Sequence, residues 1–285
     1  MFVYLNGQFI PHEEAAISIE DRGFLFGDSL YEVMRSYRGF LFEKEAHLRR
    51  LQNGLNALRL QVEQFDDLIE IATRLLHENG LTEAEATVYF QMTRGVARPR
   101  KHAFPATPAS PTVFVATNPL QPNHLWAEKG IAVITVPDLR WGRCDLKTTN
   151  LLPNVLANQQ AHEAGADEAI FVRDGIVVEA SHSNVFALID DVVTTHPKAP
   201  ILLAGITRQV VLALCQKLEL PFAERSFSLA ELRHADEVFL TLTSSEVTPV
   251  VHIDQNEVGT GKPGSITRRL QEAFREHVQQ FCQTS

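Results

Sequence analysis

Residues 140–154 read Arg-Trp-Gly-Arg-Cys-Asp-Leu-Lys-Thr-Thr-Asn-Leu-Leu-Pro-Asn and include Lys147, one of only seven lysines in the chain. An apolar strand pattern over 131–136 comes before this stretch and a predicted helix over 153–164 follows it. A lysine between such elements can supply a neutral amine for imine chemistry when its surroundings are apolar. A surface or salt-bridged lysine has only a structural role. The stretch by itself leaves both interpretations open.

A second unusual residue is Glu179, which stands in an apolar run over 176–180. If this run is a strand, alternation places Val177, Glu179 and Ser181 on one face. An unpaired charge is expensive to bury, so the carboxylate needs a partner. A protonated ring nitrogen would be suitable, and an arginine elsewhere in the fold is the more common partner of a buried carboxylate.

Turn dipeptides and apolar stripes organise the first part of the chain. Asn6-Gly7 tolerates the positive φ angles of a type I′ hairpin turn, and Arg38-Gly39 separates a second pair of strand patterns. Leucines at spacings of three and four form one apolar stripe, which predicts a helix. The predicted elements are strands over 2–5, 8–10, 31–36, 40–42 and 87–93, and helices over 43–60 and 66–79.

Prolines are frequent between residues 104 and 123, and they place a domain boundary near 118–123. The predicted domains are therefore 1–120 and 121–285. The Asp174-Gly175 turn indicates a meander in the second domain, and Gly205 introduces a helix. The predicted strands there cover 131–136, 168–173, 176–180, 184–189, 192–195 and 237–243, with a final helix from residue 265.

The composition excludes several classes of protein. The chain has 26 Lys+Arg against 35 Asp+Glu, a formal charge of −9, which argues against general binding of nucleic acid or anionic membranes. No run approaches the ~18 apolar residues of a membrane span. Three widely spaced cysteines make neither a disulfide framework nor a metal knuckle, so no metal site is expected. Reduced thiols predict a cytoplasmic location.

Two short motifs are rejected. Residues 259–264 satisfy the pattern Gly-x-Gly-x-x-Gly, but the chain that remains is one predicted helix and leaves no room for a βαβ unit. We therefore interpret these glycines as a flexible connection. Ser181-His182-Ser183 lacks the Gly-x-Ser-x-Gly elbow that would support a hydrolase.

Five stretches together resemble the class IV, or fold-type IV, pyridoxal-phosphate aminotransferases. They are 20–32 (EDRGFLFGDSLYE), 144–147 (CDLK), Glu179 with 183–186 (SNVF), 205–208 (GITR) and 243–250 (TSSEVTPV). The resemblance extends over essentially the whole chain. It implies an α+β fold with a small N-terminal α/β domain and a larger, barrel-like C-terminal domain that carries the lysine. It also implies a homodimer with its active site at the domain and subunit interfaces.

The resemblance also implies the cofactor, pyridoxal 5′-phosphate, and the residues that bind it. Lys147 would hold the cofactor as a Schiff base and move the substrate proton, and Glu179 would pair with the protonated pyridine nitrogen. Ile206 and Thr207 would offer backbone N–H groups to the phosphate at a helix N-terminus. Arg50 and Thr243 would add further phosphate contacts.

The substrate carboxylate would be bound by a basic segment. Arg98, Arg100 and His102 share one side of an extended stretch, and Pro99-Arg100-Lys101-His102 matches the Pro-Arg-x-His segment of the members that act on D-amino acids. In the family these residues reach in from the second subunit and act with Tyr31. The stretch from residue 95 to residue 99 is one residue longer than expected for the family. This leaves open whether Arg98 or Arg100 occupies the carboxylate-binding position.

The implied reaction is transamination between D-amino acids, such as D-alanine, and 2-oxo acids, such as 2-oxoglutarate or pyruvate. Branched-chain L-amino acid aminotransferases and aminodeoxychorismate lyases share the same scaffold, so the fold alone does not exclude them. The Pro-Arg-x-His segment and Tyr31 favour the D-specific activity.

Overall fold

The computed structural model describes residues 1–284; Ser285, the end of the predicted second domain, lies outside this part. The described chain forms two compact units. Met1–Gln121 and Leu146–Asn150 make the first unit, and Pro122–Asp145 and Leu151–Thr284 make the second. No helix in the described chain is both long and apolar enough to cross a membrane. No disulfide links the three cysteines within residues 1–284.

The first unit is an antiparallel sheet covered by helices. Its strand order is β2-β1-β6-β5-β3-β4, and its apolar core lies between the sheet and the two longer helices. Its elements are β1 (Phe2–Leu5), β2 (Gln8–Pro11), α1 (Arg22–Phe26), β3 (Ser29–Tyr37), β4 (Phe40–Leu41), α2 (Lys44–Leu58), α3 (Leu68–Glu78), β5 (Glu85–Thr93) and β6 (Thr112–Pro119).

Local sequence explains the hairpins and helices of this unit. Asn6 (φ 49°) and Gly7 (φ 94°) adopt the positive φ angles that the predicted β1–β2 turn requires. The leucine stripe of α2 supplies Leu51 and Leu55, which are 3% and 1% exposed. The predicted hairpin and the two predicted helices are confirmed, with helix ends shifted by a few residues.

The segment Leu146–Asn150 differs from its predicted place. We expected it in the second domain, but it packs with the first unit because it runs beside the start of β3. Tyr31 donates its backbone N–H to the Lys147 carbonyl at 2.9 Å, and Leu30 and Thr148 form an isolated β-bridge. Residues 140–154 therefore contribute to both units. The division between the units otherwise falls at 121–122, within the proline-containing stretch.

The second unit is a mixed sheet with helices. Its strand order is β12-β11-β10-β13-β14-β7-β8-β9, and β15 pairs with β14. Its elements are α4 (His124–Lys129), β7 (Ile131–Pro137), α5 (Leu152–Glu163), β8 (Glu168–Arg173), β9 (Ile176–Ala180), β10 (Asn184–Ile189), β11 (Val192–Thr195), α6 (Ile206–Lys217), β12 (Phe222–Glu224), α7 (Leu229–Arg233), β13 (Glu237–Leu242), β14 (Glu246–Ile253), β15 (Asn256–Glu257) and α8 (Ser265–Thr284). The α+β class is confirmed.

The rejected glycine motif is a connection, as expected. Residues 259–264 join β15 to α8. At the start of α8, Ile266 and Thr267 donate their N–H groups to the Glu237 carboxylate at 3.0 and 2.7 Å. A carboxylate from β13 thus occupies the position that a phosphate would take at this helix N-terminus.

Candidate active site

Lys147 lies beside the aromatic ring of Tyr31. Its Nζ is 4.2 Å from the ring centroid, and Tyr31 stacks on Tyr89 with centroids 5.7 Å apart. The backbone hydrogen bond from Tyr31 to Lys147 holds the two residues in register. Main-chain pairing therefore places the half-buried Lys147 next to β3.

A buried charge cluster lies on the opposite face of β3. Glu32 is fully buried and accepts two hydrogen bonds from Arg50, at 2.8 and 2.6 Å, and one contact from His47 Nδ1 at 3.1 Å. His47 and Arg50 come one turn apart on α2, which packs against this face of the sheet. Glu32 thus fixes the orientation of the Arg50 guanidinium.

Glu32 was missed at the level of sequence, although a signal was present. It alternates with Leu30 and Met34 on a buried strand face, the same pattern that singled out Glu179. Arg50, predicted as a phosphate ligand, is only 14% exposed at its side chain and is bound to Glu32.

Burial and pairing together set the charges of this cluster. Burial alone would raise the pKa of Glu32, but Arg50 and His47 outweigh it and hold that pKa far below its usual range. Burial lowers the pKa of His47, and the neighbouring Glu32 only partly opposes this effect. The cluster is therefore an ionised carboxylate and guanidinium with a neutral imidazole at neutral pH.

We expect His47 to lower the free energy of unfolding as the pH drops below about 6.5, the ordinary pKa of a histidine. Because the folded-state pKa of His47 is depressed, the unfolded chain takes up its proton first and gains population. Thermal unfolding measured from pH 8 to pH 5 should show this decline, and His47→Gln should flatten it. An unchanged slope in His47→Gln would contradict the assignment.

Glu179 lies in the second unit and is paired with an arginine. Arg140 Nη1 donates to Glu179 Oε1, while Asn184 Nδ2 and the Leu203 N–H donate to Oε2 at 3.3 and 3.1 Å. An arginine, one of the two partners that the sequence left open, is therefore present beside Glu179. Both carboxylate oxygens of Glu179 therefore accept hydrogen bonds.

Arg140 forms ion pairs with two carboxylates. It also donates to Asp138 through Nε and Nη2 at 2.9 and 3.0 Å, and Asp138 in turn binds Arg173 at 2.9 Å. Burial alone would lower the pKa of Arg140, but Asp138 and Glu179 raise it. Asp138 and Glu179 are thus paired with two arginines, Arg140 and Arg173, in one buried network.

The N-terminus of α6 has no side-chain cap. Its N-cap is Gly205, which has no side chain to bind the first-turn N–H groups, and Ile206 and Thr207 are buried. A Cβ atom at Gly205 would collide with Asn184 Oδ1, which accepts the Gly205 N–H at 3.1 Å. Asn184 thus connects this helix end to Glu179.

Thr243 follows β13 and is half-buried. Two residues earlier, the Thr241 hydroxyl is buried without a hydrogen-bond partner in the described chain. Thr241 pairs with Asn184 across the sheet, so an unsatisfied donor lies in the same region as the α6 N-terminus. This donor set suits a phosphate.

The two arginines of the basic segment have different partners. Arg98, 73% exposed at its side chain, forms an ion pair with Glu20. Arg100 instead lies over the Phe26 ring at 4.4 Å, and the His102 ring is 5.5 Å from the same ring. Within residues 1–284 no carboxylate pairs with Arg100.

Comparison with known proteins places this geometry in a family. The family model for amino-transferase class IV matches residues 29–253. The chain belongs to the class IV aminotransferases. D-alanine aminotransferases from Staphylococcus epidermidis and Bacillus licheniformis are 41% and 40% identical over 278 and 286 residues. These alignments cover 97% and 98% of this chain, and 98% and 97% of the relatives.

Solved aminotransferase structures share the fold. The branched-chain amino acid aminotransferase of Escherichia coli has a TM-score of 0.88 at 27% identity, covering 96% of this chain and 93% of its own. A branched-chain amino acid aminotransferase from T.th., complexed with N-(5′-phosphopyridoxyl)-L-glutamate, has a TM-score of 0.85 at 28% identity, with the same coverage. This class IV aminotransferase therefore has the fold-type IV architecture expected from its motifs.

Proposed function

We propose that this class IV aminotransferase transfers amino groups between D-amino acids and 2-oxo acids. Full-length similarity to curated D-alanine aminotransferases supports the substrate class. The observation that carries the proposal is Arg100, an exposed guanidinium that an aromatic ring holds in place and no carboxylate neutralises within residues 1–284. A planar guanidinium in that state is suited to a substrate carboxylate.

The cofactor in this proposal is pyridoxal 5′-phosphate, and the residues present fit it. Lys147 would be its attachment residue and Glu179 the partner of its ring nitrogen. The N–H groups of Ile206 and Thr207 would bind the phosphate, with Thr243 and Arg50 as further contacts. When bound, the cofactor supplies an electron sink for the carbanion formed at the substrate Cα.

The protein's own groups then have separate tasks. Lys147 Nζ takes the proton from the substrate Cα, since it is the reactive amine presented beside Tyr31. Glu179, whose orientation Arg140 and Asn184 fix, would stabilise positive charge on the ring nitrogen of the cofactor. The carboxylate site and Lys147 together determine which face of Cα is deprotonated, and this determines stereospecificity.

The carboxylate site consists of Arg100 and His102, from the second subunit of a homodimer, together with Tyr31. Arg98 is the weaker candidate because Glu20 already neutralises it. A homodimer is also supported by three apolar side chains on one face of α5. Leu152, Val155 and Leu156 are 68%, 59% and 61% exposed, which is unusual for a face left in water.

A substrate panel tests the proposal. The purified protein, supplied with pyridoxal 5′-phosphate, should convert D-alanine and 2-oxoglutarate to pyruvate and glutamate. D- and L-amino acids measured side by side, with aminodeoxychorismate as a further substrate, distinguish the members of the family. Absence of D-alanine turnover together with activity on L-leucine or aminodeoxychorismate would overturn the assignment.

The two arginines give a sharper prediction. Arg100→Gln should lower kcat/KM for D-alanine by about 100-fold, because a pair of charge-assisted hydrogen bonds to the carboxylate is lost. Arg98→Gln is the matched control and should stay within about twofold, since an exposed ion pair contributes little. Steady-state kinetics of both variants checks this. The reverse ranking would transfer the carboxylate role to Arg98.

A further inference from the structure

The short helix α1 and the segment that follows β5 are joined by one buried arginine. Arg22 Nη1 donates to the carbonyls of Lys101 and Ala103 at 2.7 and 3.3 Å, and Nη2 donates to the carbonyl of His102 at 3.1 Å. Arg22 is 4% exposed. A single guanidinium therefore fixes the path of three consecutive peptide units, which carry or adjoin the proposed carboxylate site.

The orientation of Arg22 is itself fixed by a carboxylate. Its Nε donates to Asp28 at 2.8 Å, and Asp28 also accepts from Arg94 at 2.8 and 3.0 Å. Burial alone would raise the pKa of Asp28, but Arg94 and Arg22 outweigh it and lower that pKa. Arg94 in turn donates to the Leu58 carbonyl at the end of α2 at 2.8 Å. Arg22 is therefore connected, through Asp28 and Arg94, to the end of α2 in the first unit.

The same helix supplies an aromatic surface for the two side chains that would bind substrate. The Phe26 ring contacts the Arg100 guanidinium at 4.4 Å and the His102 ring at 5.5 Å, and it also lies 4.8 Å from the Arg22 guanidinium. The N-cap of this helix is Asp21, whose side chain accepts the Gly23 N–H, and its C-cap is Gly27, with a φ of 64°. The ring position is thus determined by both helix ends.

We propose that Arg22 and Phe26 are positioning residues of the carboxylate site, with Arg22 fixing the main chain at 101–103 and Phe26 holding the Arg100 guanidinium and the His102 ring. An exposed arginine loses rotamer freedom when it binds an anion, and prior stacking on a ring reduces that loss. Phe26 therefore raises the affinity for carboxylate substrates without touching them. The inference rests on the proposed function of Arg100.

The test compares two substitutions of Phe26 with a matched control. Phe26→Leu removes the aromatic face, and Phe26→Tyr keeps it. Phe9→Leu is the control, because Phe9 lies under the exposed Arg74 at 3.7 Å elsewhere in the same unit. The measurements are KM and kcat for D-alanine and 2-oxoglutarate, 2-oxoglutarate binding by calorimetry, and the affinity of the apoprotein for pyridoxal 5′-phosphate.

Phe26→Leu should raise both KM values and the 2-oxoglutarate Kd by about fivefold, which corresponds to the free energy of an exposed cation–π contact. Its kcat, cofactor affinity and Tm should stay near those of the wild type, and Phe26→Tyr should restore the KM values. In an Arg100→Gln background, Phe26→Leu should have a smaller effect, because only the contact with the His102 ring remains to be lost. Equal losses in both backgrounds, or a loss of cofactor affinity, would overturn the positioning role.

The two proposals fail in different ways. A wild-type protein that neither binds 2-oxoglutarate nor converts D-alanine contradicts the proposed function, and the positioning role with it. An active wild type whose Phe26→Leu variant keeps its KM values contradicts the positioning role alone. A Phe9→Leu variant with the same KM increase would show that the effect is a general loss of packing, which also overturns the inference.

Discussion

Lys147→Ala is expected to reduce transamination of D-alanine by about 10⁴-fold or more, because both the cofactor attachment and the base that takes the Cα proton are lost. The variant should keep the fold. The segment that carries Lys147 is held by the Tyr31 N–H and the Leu30–Thr148 bridge, which do not involve the lysine side chain. Turnover of D-alanine with 2-oxoglutarate and a thermal melt of the same preparation measure the two effects separately.

A chemical measurement supports the kinetic one. Borohydride treatment of the wild-type protein with its cofactor should leave a stable label on the peptide that contains Lys147, and Lys147→Ala should lose it. Lys129→Ala is a suitable control, since Lys129 ends the short helix α4 in the second unit. Near-normal turnover by Lys147→Ala, or a label on another lysine, would contradict the catalytic assignment.

Glu32→Ala should be the most destabilising single substitution in the cluster, at about 3–5 kcal/mol, because it removes the fully buried carboxylate that pairs with Arg50 and His47. Glu32 is fully buried and accepts two hydrogen bonds from Arg50, so the substitution removes both bonds and leaves a void between β3 and α2. Equilibrium unfolding in urea measures the change in free energy of unfolding.

The matched control for this prediction is Glu78→Ala. Glu78 pairs with Arg74 one turn away on the surface of α3, and exposed pairs of this kind contribute less than about 1 kcal/mol. If Glu32→Ala and Glu78→Ala lowered the free energy of unfolding equally, the buried cluster would not be the stabilising feature that its geometry indicates.

Elements defined by neighbouring residues were predictable from the sequence. The β8–β9 hairpin follows from Asp174 and Gly175, which adopt φ angles of 51° and 78°, and its predicted strand limits agree with the observed ones. The α2 stripe and the rejected glycine motif were interpreted correctly for the same reason. Turn chemistry and apolar periodicity act over a few residues, so they can be interpreted without knowing the fold.

Partners of the buried charges could not be predicted in this way. Glu179 has the alternation of a buried carboxylate, yet its sequence admits either a ring nitrogen or an arginine, and only the folded sheet shows Arg140 beside it. Glu32 carries the same local pattern and was missed, because nothing near it in sequence indicates that α2 would deliver Arg50.

The amino-acid sequence by itself determined the secondary structure around each turn and the family, and its motifs supplied the candidate site residues. The tertiary structure decided that Lys147 pairs with β3 of the first unit, that Arg98 is neutralised by Glu20 while Arg100 stacks on Phe26, and that Arg22 anchors a segment 79 residues away. The physical reason is the distance along the chain over which each kind of interaction acts. Backbone preferences depend on adjacent residues, whereas ion pairs and ring contacts depend on which distant segments packing brings together.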